Sequence, residues 1–516
     1  MAEAATAGQA PAFKAPYLSN GKQLAAGLIL ALSNFMVVLD ITIANVSVPH
    51  IAGNLGISLD QGTWIITSYA VAEAICVPLT GWLAGRFGVV RMFVFAMLGF
   101  GLFSLLCGLA PTLGLLVACR IGQGVMGAPI MPMSQTLMMT VFPPERRNIA
   151  MAGWAMTTLL GPAFGPILGG YISDNFSWHW IFLINVPIAI ACTIAGGLLL
   201  AEVETPTVKL PIDKMGLVLL VFWIGCLQIV LDIGRDHDWF ADWKIVALTV
   251  CSVVGFCAFV IWELTEKHPI VDLRIFRHRG FTSTVATLAL AFGAYFASIV
   301  VIPQWLQSSM GYTATYAGLT TAFTAMAALT MAPIAARMVG KVDSRLMISL
   351  AVGWLGMMSL VRAQWNSEAD FWTLSMPQLM QGFGMAFFMI PLTTLSLSSV
   401  RPEETASAAG LQNFIRTISI AISTSIVLTM SGNAQRVAHS EIAGSLQPDG
   451  TMAALRNAGF GTEQARAMIG NLVDKEATTV AVTHTFYVAA VVLFFAAAVV
   501  WFAPRPEGPV KVEMGH

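Results

Sequence analysis

The sequence predicts an all-α integral membrane protein whose chain crosses the bilayer fourteen times. Of its 516 residues, 56% are hydrophobic and only 11% are charged, whereas soluble domains carry about 25% charged residues. The mean hydropathy is +0.74, and the apolar residues form runs of about 20, the length that crosses a bilayer core about 30 Å thick. In order, the runs lie near 24–48, 62–84, 92–110, 113–139, 149–171, 180–200, 215–232, 243–262, 281–306, 315–336, 346–364, 373–399, 406–431 and 479–503.

An internal repeat divides these runs into two halves. Three segments recur in the same order, 255 to 258 residues apart, and this nearly constant spacing indicates an internal repeat. Spans 2–5 therefore match spans 10–13, and spans 7 and 8 are inserted between two six-span halves, an arrangement typical of transporters. A channel or membrane enzyme with an accidental repeat is the alternative. The pairs are PLTGWLAGRFGVVR (78–91) with PIAARMVGKVDSR (333–345), RIGQGVMGAPIMP (120–132) with QLMQGFGMAFFMIP (378–391), and FPPERRNIAMAG (142–153) with VRPEETASAAG (400–410).

The positive charges predict the orientation of the chain. With a cytoplasmic N-terminus, eighteen of the 27 Lys and Arg residues fall in inner segments and seven in outer ones, so both termini are expected in the cytoplasm. The N-terminal stretch has no signal-peptide pattern, so the first span is expected to be retained. The predicted organisation is a cytoplasmic tail (1–23), an N-terminal six-helix half (24–200), two inserted helices with linkers (201–280), a C-terminal six-helix half (281–503) with a long outer loop at 432–478, and a cytoplasmic tail (504–516).

No motif in the chain points to catalysis or to a bound cofactor. All seven cysteines lie in apolar runs and the eight histidines are scattered, so no disulfide or metal site is predicted. A phosphate-binding GxxxxGK[ST] loop and a nucleophile elbow are both absent from the sequence, which argues against ATP as a direct energy source and makes an intramembrane enzyme a poor alternative. No nucleic-acid partner is predicted.

Four charges lie inside predicted spans: Asp40, Glu73, Arg120 and Arg416. Charges within the bilayer are costly and usually functional. In the repeat Arg120 corresponds to the neutral Gln378, so the acid chemistry is expected in the N-terminal half, while Arg416, near Asn413, is the unmatched charge of the other half.

Each of these charges has two interpretations. Asp40 is a proton carrier or a structural, hydrogen-bonded acid, and Arg120 is its partner or only a helix anchor. Glu73 is a second titrating acid or attracts cationic substrates, unless it simply faces an aqueous vestibule.

The stretch LLGPAFGPILGGYI (159–172) places glycine at every fourth position, at Gly161, Gly165 and Gly169, with Pro162 and Pro166 beside them. In lipid, such a stripe lets a second helix approach closely, and the prolines bend the helix. We interpret the stripe as the surface on which the two halves meet and part; ordinary packing within the N-terminal half is the alternative.

The chain resembles the major facilitator superfamily, in its fourteen-span drug:proton antiporter branch. The resemblance covers nearly the whole sequence. It is carried by LDITIANVSVP (39–49), GWLAGRFGVVR (81–91), RIGQG (120–124), GPAFGPILGG (161–170), WHWIFLINVP (178–187) and LDIGRDHDWF (231–240).

The resemblance implies proton-coupled export of hydrophobic drugs across a bacterial inner membrane by alternating access, with the proton gradient as energy source and no cofactor. It assigns coupling and gating to the positions of Asp40 and Arg120, and places Gly170 in the gating stretch. Arg86 and Arg91 become anchors near the inner surface, because Gly85 stands where many facilitators carry Asp. It also implies a periplasmic membrane-fusion adaptor and a TolC-like outer-membrane channel as partners, with the loop 432–478 helping to dock the adaptor.

Methionine-rich and aromatic segments favour an adaptable apolar substrate pocket. Export of a natural metabolite or siderophore remains the alternative to drug export, since the sequence does not name the substrate. The candidate pocket residues are Glu73, Gln123, Trp64, Phe296, Trp305, Asn413 and Arg416.

Overall fold

The structure, a computed structural model, describes residues 18–208, 211–237, 239–445, 452 and 455–504. Thirteen of the helical segments among the described residues are long and apolar enough to cross a bilayer. The 32-residue helix Pro144–Asn175, at the fifth predicted run, is not one of these thirteen and makes a fourteenth long helix. The helices are α1 (Asn20–Leu55), α2 (Leu59–Cys76 and Thr80–Phe87), α3 (Val89–Gly108), α4 (Leu113–Gly127 and Ile130–Val141), α5 (Pro144–Asn175), α6 (Trp180–Leu183 and Asn185–Leu199), α7 (Lys214–Ile233), α8 (Trp243–Thr265), α9 (Arg279–Ser308), α10 (Ala314–Met338), α11 (Ser344–Arg362), α12 (Phe371–Ser398), α13 (Thr405–Ser445) and α14 (Thr462–Val499).

Side-chain caps fix where several helices begin. The Ser58 hydroxyl accepts a hydrogen bond from the Gln61 amide, and the Gln61 side chain accepts one from the Ser58 amide, forming a capping box for α2. Asp370 caps α12, and hydrogen bonds from the Thr373 hydroxyl and amide hold the pKa of this exposed carboxyl below its ordinary value. The polar links between the apolar runs therefore also carry the signals that start the helices.

We call α1–α6 the N half and α9–α14 the C half. In the N half α1 packs on α5 and α2 on α4, and in the C half α10 packs on α12 and α11 on α14. The most extensive contact between the halves is that of α5 with α10. The halves therefore meet along spans 5 and 10, which the internal repeat matches with spans 13 and 2.

The inserted helices α7 and α8 pack on each other, and α7 also touches both halves. On the N half, the Thr67 hydroxyl donates to Asp232 Oδ2 at 2.6 Å. On the C half, the Ser425 hydroxyl donates to the Leu231 carbonyl at 2.7 Å. The C-terminal end of α7 thus bridges the two halves.

The last two helices are longer than a bilayer needs. Helix α13 has 41 residues and α14 has 38, and 41 residues of α-helix span about 60 Å, twice the thickness of the hydrocarbon core. Their extensions, residues 432–445 and 455–478, form what we call the hairpin, with Ala438, Ala465 and Val473 buried in it. The predicted loop at 432–478 is thus largely helical where it is described.

With α5 added to the thirteen candidate spans, fourteen helices cross the bilayer, so both described chain ends lie on one side, which we call the terminal face. The hairpin lies on the opposite side, the hairpin face. The two halves touch near both faces. At the terminal face the Asn148 amide group donates to the Val339 carbonyl at 3.4 Å, and nearer the hairpin face Pro162 lies across a small cavity from Thr321. Residues 1–17 and 505–516, which include most of both predicted tails, lie outside the described residues.

Candidate functional site

Asp40 and Arg120 form an ion pair in the interior of the N half. The Arg120 Nη1 atom donates to Asp40 Oδ2 at 2.6 Å, and the side chains are 0% and 1% exposed. The other carboxylate oxygen, Oδ1, accepts from Gln123 Nε2 at 2.9 Å and from Asn185 Nδ2 at 2.7 Å. Asp40 is therefore held by three donors from α4 and α6, shielded from water.

The guanidinium of Arg120 is fixed by a second set of contacts. Its Nε atom donates to the Ile65 carbonyl at 3.0 Å and its Nη1 atom to Gln123 Oε1 at 2.8 Å. The Tyr69 ring lies 4.3 Å from the guanidinium carbon and the Phe182 ring 5.5 Å, distances at which an aromatic face stabilises a cation. Helices α2, α4 and α6 thus jointly orient this side chain.

Close packing of α2 against α4 places Arg120 where it is. A Cβ atom built on Gly124 would lie 2.6 Å from the Tyr69 carbonyl, so a larger residue would separate the helices. Gly124, the second glycine of the RIGQG motif, is therefore required by the close approach of the two helices.

Sequence reasoning found Asp40, Arg120 and Gln123 but missed Asn185 and Ser104. The Ser104 hydroxyl accepts from Gln123 Nε2 at 2.7 Å and from Asn185 Nδ2 at 3.3 Å. A signal existed for Asn185, an amide within the apolar run WHWIFLINVP; Ser104 has no such signal, because serine is common in apolar helices.

A second polar group joins the halves near the middle of the molecule. Glu73 of α2 is 6% exposed, and the opposite charge of Arg416 on α13 acts on it from the other half. The Arg416 guanidinium also lies 2.8 Å from Met131 Sδ of α4 and 5.9 Å from the Phe292 ring. Beside it, Asn413 Nδ2 donates to Gln135 Oε1 at 2.9 Å, again across the halves.

The glycine stripe of α5 faces α1, within the N half. Cβ atoms built on Gly161 and Gly165 would collide with Val38 and Thr42, and one on Gly169 would lie 2.9 Å from the Ile43 carbonyl. The expectation that this stripe itself meets the other half is wrong. The physical reason is that glycine is needed where backbones approach most closely, and the closest approach of α5 is to α1.

The neighbouring face of α5 meets the C half. Pro162 lines a cavity together with Tyr295, Thr321 and Gln378. Gly170 is buried, and the side chain of Pro166 lies outside the described residues. A gating role for these residues stays a prediction.

At the terminal face, Glu204 holds the turn between α2 and α3. Its carboxylate accepts from the Val90 and Arg91 amides at 3.1 and 2.9 Å and lies 3.8 Å from the Arg91 side chain. Gly88 makes this possible, because its φ is +88° and a Cβ there would lie 2.5 Å from Glu204 Oε1. Arg86 is half-buried in the same turn; the anchoring role of both arginines remains a prediction.

The predicted aromatic pocket residues lie in different places. Trp64 is 46% exposed on α2, whereas Trp305 is 2% exposed and stacks on Trp365 at 5.9 Å inside the C half. Phe296 is half-buried and stacks on Phe292 at 5.5 Å. The structure does not bring these three side chains together.

One of the seven bases counted on the outer side is buried. Arg362 is the last residue of α11 and is 2% exposed. Its guanidinium donates to the Ser359 hydroxyl at 3.0 Å and lies 5.1 Å from the Phe486 ring. The side chain of this last helical residue is buried in the protein, which a count of charges along the sequence does not show.

Two packed helical halves with a buried ion pair in one of them define a multi-pass membrane protein of the transporter class. A family model described as Major Facilitator Superfamily matches residues 30–424. The chain belongs to the major facilitator superfamily, and both the predicted family and the predicted fold are confirmed.

Relatives and solved structures resemble nearly the whole chain. "Multidrug export protein EmrB" of Escherichia coli (strain K12) is 42% identical over 93% of this chain and 95% of the relative. "Fatty acid resistance protein FarB" of Neisseria gonorrhoeae is 39% identical over 93% and 96%. The solved proton:xylose symporter XylE bound to 6-bromo-6-deoxy-D-glucose is similar with a TM-score of 0.61 at 13% identity, covering 95% of this chain and 98% of that one; this likeness concerns the fold alone.

Proposed function

We propose that this protein is a proton-coupled multidrug efflux transporter that exports hydrophobic compounds by alternating access. The observation that carries the proposal is the fully buried Asp40–Arg120 pair, which the N half contains and the matching Gln378 position of the C half does not. The name of the relative EmrB, multidrug export protein, supports export of several drugs. No cofactor takes part.

In this mechanism Asp40 carries the proton. When the carboxyl takes up a proton from the outside, its charge attraction to Arg120 is lost, so the packing of α1 against α4 changes. When the proton leaves to the inside, the ion pair forms again as drug is loaded. One proton crossing 100 mV supplies about 2.3 kcal/mol, which supports a gradient of roughly a few tens-fold for a neutral substrate.

Purified protein in proteoliposomes tests the proposal. Asp40→Asn is neutral at every pH, so we expect it to lose uphill, proton-driven drug transport while it still exchanges drug down a gradient. Glu73→Gln is the comparison variant, since it removes the other buried acid of the N half. Full proton-driven transport by a well-folded Asp40→Asn protein would remove Asp40 from the mechanism and leave Glu73 as the next acid to test.

We further propose that the protein lies in a bacterial inner membrane with both termini in the cytoplasm and the hairpin in the periplasm. There the hairpin would dock a periplasmic adaptor of the EmrA type, which connects to an outer-membrane channel of the TolC type. The length of α13 and α14 supports this, because their extensions pass well beyond the bilayer.

Crosslinking tests the docking of the adaptor. A variant that lacks residues 436–474, rejoined by a short turn, should lose crosslinks to the adaptor and retain transport in membrane vesicles. Unchanged crosslinking would show that the hairpin does not bind the adaptor.

A further inference from the structure

The stretch LDIGRDHDWF (231–240) lies at the hairpin face, where α7 ends. It forms the last turn of α7 and the start of the link to α8, and we call its described residues, 231–237 and 239–240, the strap. The strap makes hydrogen bonds to α2 of the N half and to α13 of the C half. It therefore crosses the boundary between the halves at the face that must open for release to the outside.

Two hydrogen bonds hold the strap on the C half. The Ser425 hydroxyl donates to the Leu231 carbonyl at 2.7 Å, and the Trp239 Nε1 atom donates to the Thr429 hydroxyl at 3.1 Å. Ser425 and Thr429 are four residues apart on α13, so they lie on the same face of that helix. The strap is thus attached to α13 at both of its ends.

The body of α7 supports this attachment. The Trp223 ring packs edge-on against Phe414 of α13, with ring centroids 6.1 Å apart. Trp223 also belongs to a buried apolar cluster in which Ala74 and Val77 of α2 take part, but in which residues of the C half outnumber those of the N half. Burial of apolar surface therefore favours the C half as the main support of α7.

Trp239 reaches α13 through an unusual backbone conformation. Its φ is +54°, which a bulky residue rarely adopts. The Trp239 amide donates to the Gly234 carbonyl at 2.7 Å and closes the turn. A Cβ atom on Gly234 would lie 2.9 Å from Trp239 Cε3, so glycine leaves room for the indole ring. The turn accepts backbone strain and places the indole on α13.

The N half holds the strap through a side chain of α2. The Thr67 hydroxyl donates to Asp232 Oδ2 at 2.6 Å, and Thr67 is buried. Two residues earlier on α2, the Ile65 carbonyl accepts a hydrogen bond from Arg120 Nε. The segment of α2 that holds the strap therefore also holds the cation of the Asp40–Arg120 pair.

We propose that the strap closes the hairpin face, that it stays on α13 when the halves separate there, and that the Thr67–Asp232 hydrogen bond is the contact that breaks. The strained turn and two hydrogen bonds fix the strap to the C half, so a rigid-body separation of the halves carries it with α13. Thr67 and Asp232 are thereby positioning residues of the transport cycle. This inference rests on the proposed alternating access.

Reversible crosslinks test which half keeps the strap. In a variant without the native cysteines, one protein carries Thr67→Cys with Asp232→Cys, and the other carries Leu231→Cys with Ser425→Cys. Each is joined in proteoliposomes by a short bifunctional methanethiosulfonate, and proton-driven export of a neutral dye is measured before crosslinking, after it and after reduction. We expect the crosslink to α2 to lower export at least tenfold and reduction to restore it. The crosslink to α13 should leave export within twofold.

Spin labels measure the closure of the hairpin face directly. Cysteines for the labels are placed at Gly114 and Glu368, exposed positions at the hairpin ends of the N half and the C half. Thr67→Val keeps the side-chain shape and removes the hydroxyl, so we expect more molecules with a long distance between the labels. Thr136→Val is the matched control, because the Thr136 hydroxyl bonds the Pro132 carbonyl within α4, and it should leave the distances unchanged.

The possible results separate this inference from the proposed function. If both crosslinks block export, if neither does, or if only the crosslink to α13 does, the strap does not stay with the C half and the inference is overturned. Equal distances in the Thr67→Val and Thr136→Val proteins would also overturn it, and they decide the outcome if either crosslink does not form. Failure of the unmodified protein to export any probe would instead overturn the proposed function.

Discussion

Asp40 is surrounded by hydrogen-bond donors that stabilise its charged form. Three donors reach its two oxygens, and Arg120 is in turn held by the Ile65 carbonyl and the Tyr69 ring. Removal of one partner from a buried ion pair commonly costs about 3–5 kcal/mol, because the other charge stays buried and unpaired. Stability and function therefore depend on the same pair of side chains.

We predict that Arg120→Gln lowers the melting temperature of the purified protein more than the double variant Asp40→Asn/Arg120→Gln does. The single change leaves a buried carboxylate without its cation, and the second change removes that charge. Thermal unfolding of the four proteins of this cycle measures the coupling. Additive decreases in melting temperature would mean that the two charges do not stabilise each other.

Helix α5 uses two of its faces for different purposes. Its glycine stripe allows close packing on α1, and the face that carries Pro162 meets α10 of the other half. The stripe therefore packs α5 tightly on α1 within the N half, while the adjacent face forms the boundary between the halves.

We predict that Gly165→Ala destabilises the protein by about 1–3 kcal/mol, the usual cost of overpacking. The added Cβ would lie 3.0 Å from the Thr42 backbone carbonyl carbon and closer still to its side chain. Gly153→Ala on the same helix is the matched control, because a Cβ there meets no atom within 4 Å. Thermal unfolding compares them, and equal stabilities would contradict the tight α1–α5 contact.

At the terminal face, α2 and α13 approach each other across the two halves. A Cβ at Gly81 would lie 2.8 Å from the Ser407 Cα atom, whereas one at Gly85 meets open space. We predict that Gly81→Ala separates the halves at this face and that Gly85→Ala does not. Spin labels at the exposed positions Arg146 and Arg337 should report a longer distance in Gly81→Ala; an unchanged distance would show that another contact holds the face closed.

For the whole molecule, the long hairpin and the loops of the terminal face lie on opposite sides of the bilayer. Single cysteines are introduced at Glu463 or Arg277 into a variant of the protein from which the native cysteines have been removed. We predict that an impermeant maleimide added to intact spheroplasts labels the cysteine at position 463 but not the one at position 277. Both side chains are exposed, at 85% and 52%, so accessibility within the protein does not differ enough to explain the result. Labelling of Arg277→Cys from outside would reverse the proposed orientation.

The sequence by itself determined the fold class, the number and order of the spans, and the presence of buried charges. It could do so because a bilayer imposes one length and one polarity on every spanning helix, and because Asp40, Arg120 and the repeated motifs stand out against apolar surroundings. The starts of several helices are also determined locally, because residues such as Ser58 cap a helix through a neighbour three positions along the chain.

Only the tertiary structure decided which faces and side chains meet. It turned the glycine stripe toward α1, brought Asn185 and Ser104 to Asp40, folded Arg362 inward and placed the unpartnered Gln378 amide at a cavity. Nearly every face of a membrane helix is apolar, so periodicity does not tell which face is buried. Contacts between helices far apart in the chain are set instead by steric fit and by polar groups that need partners.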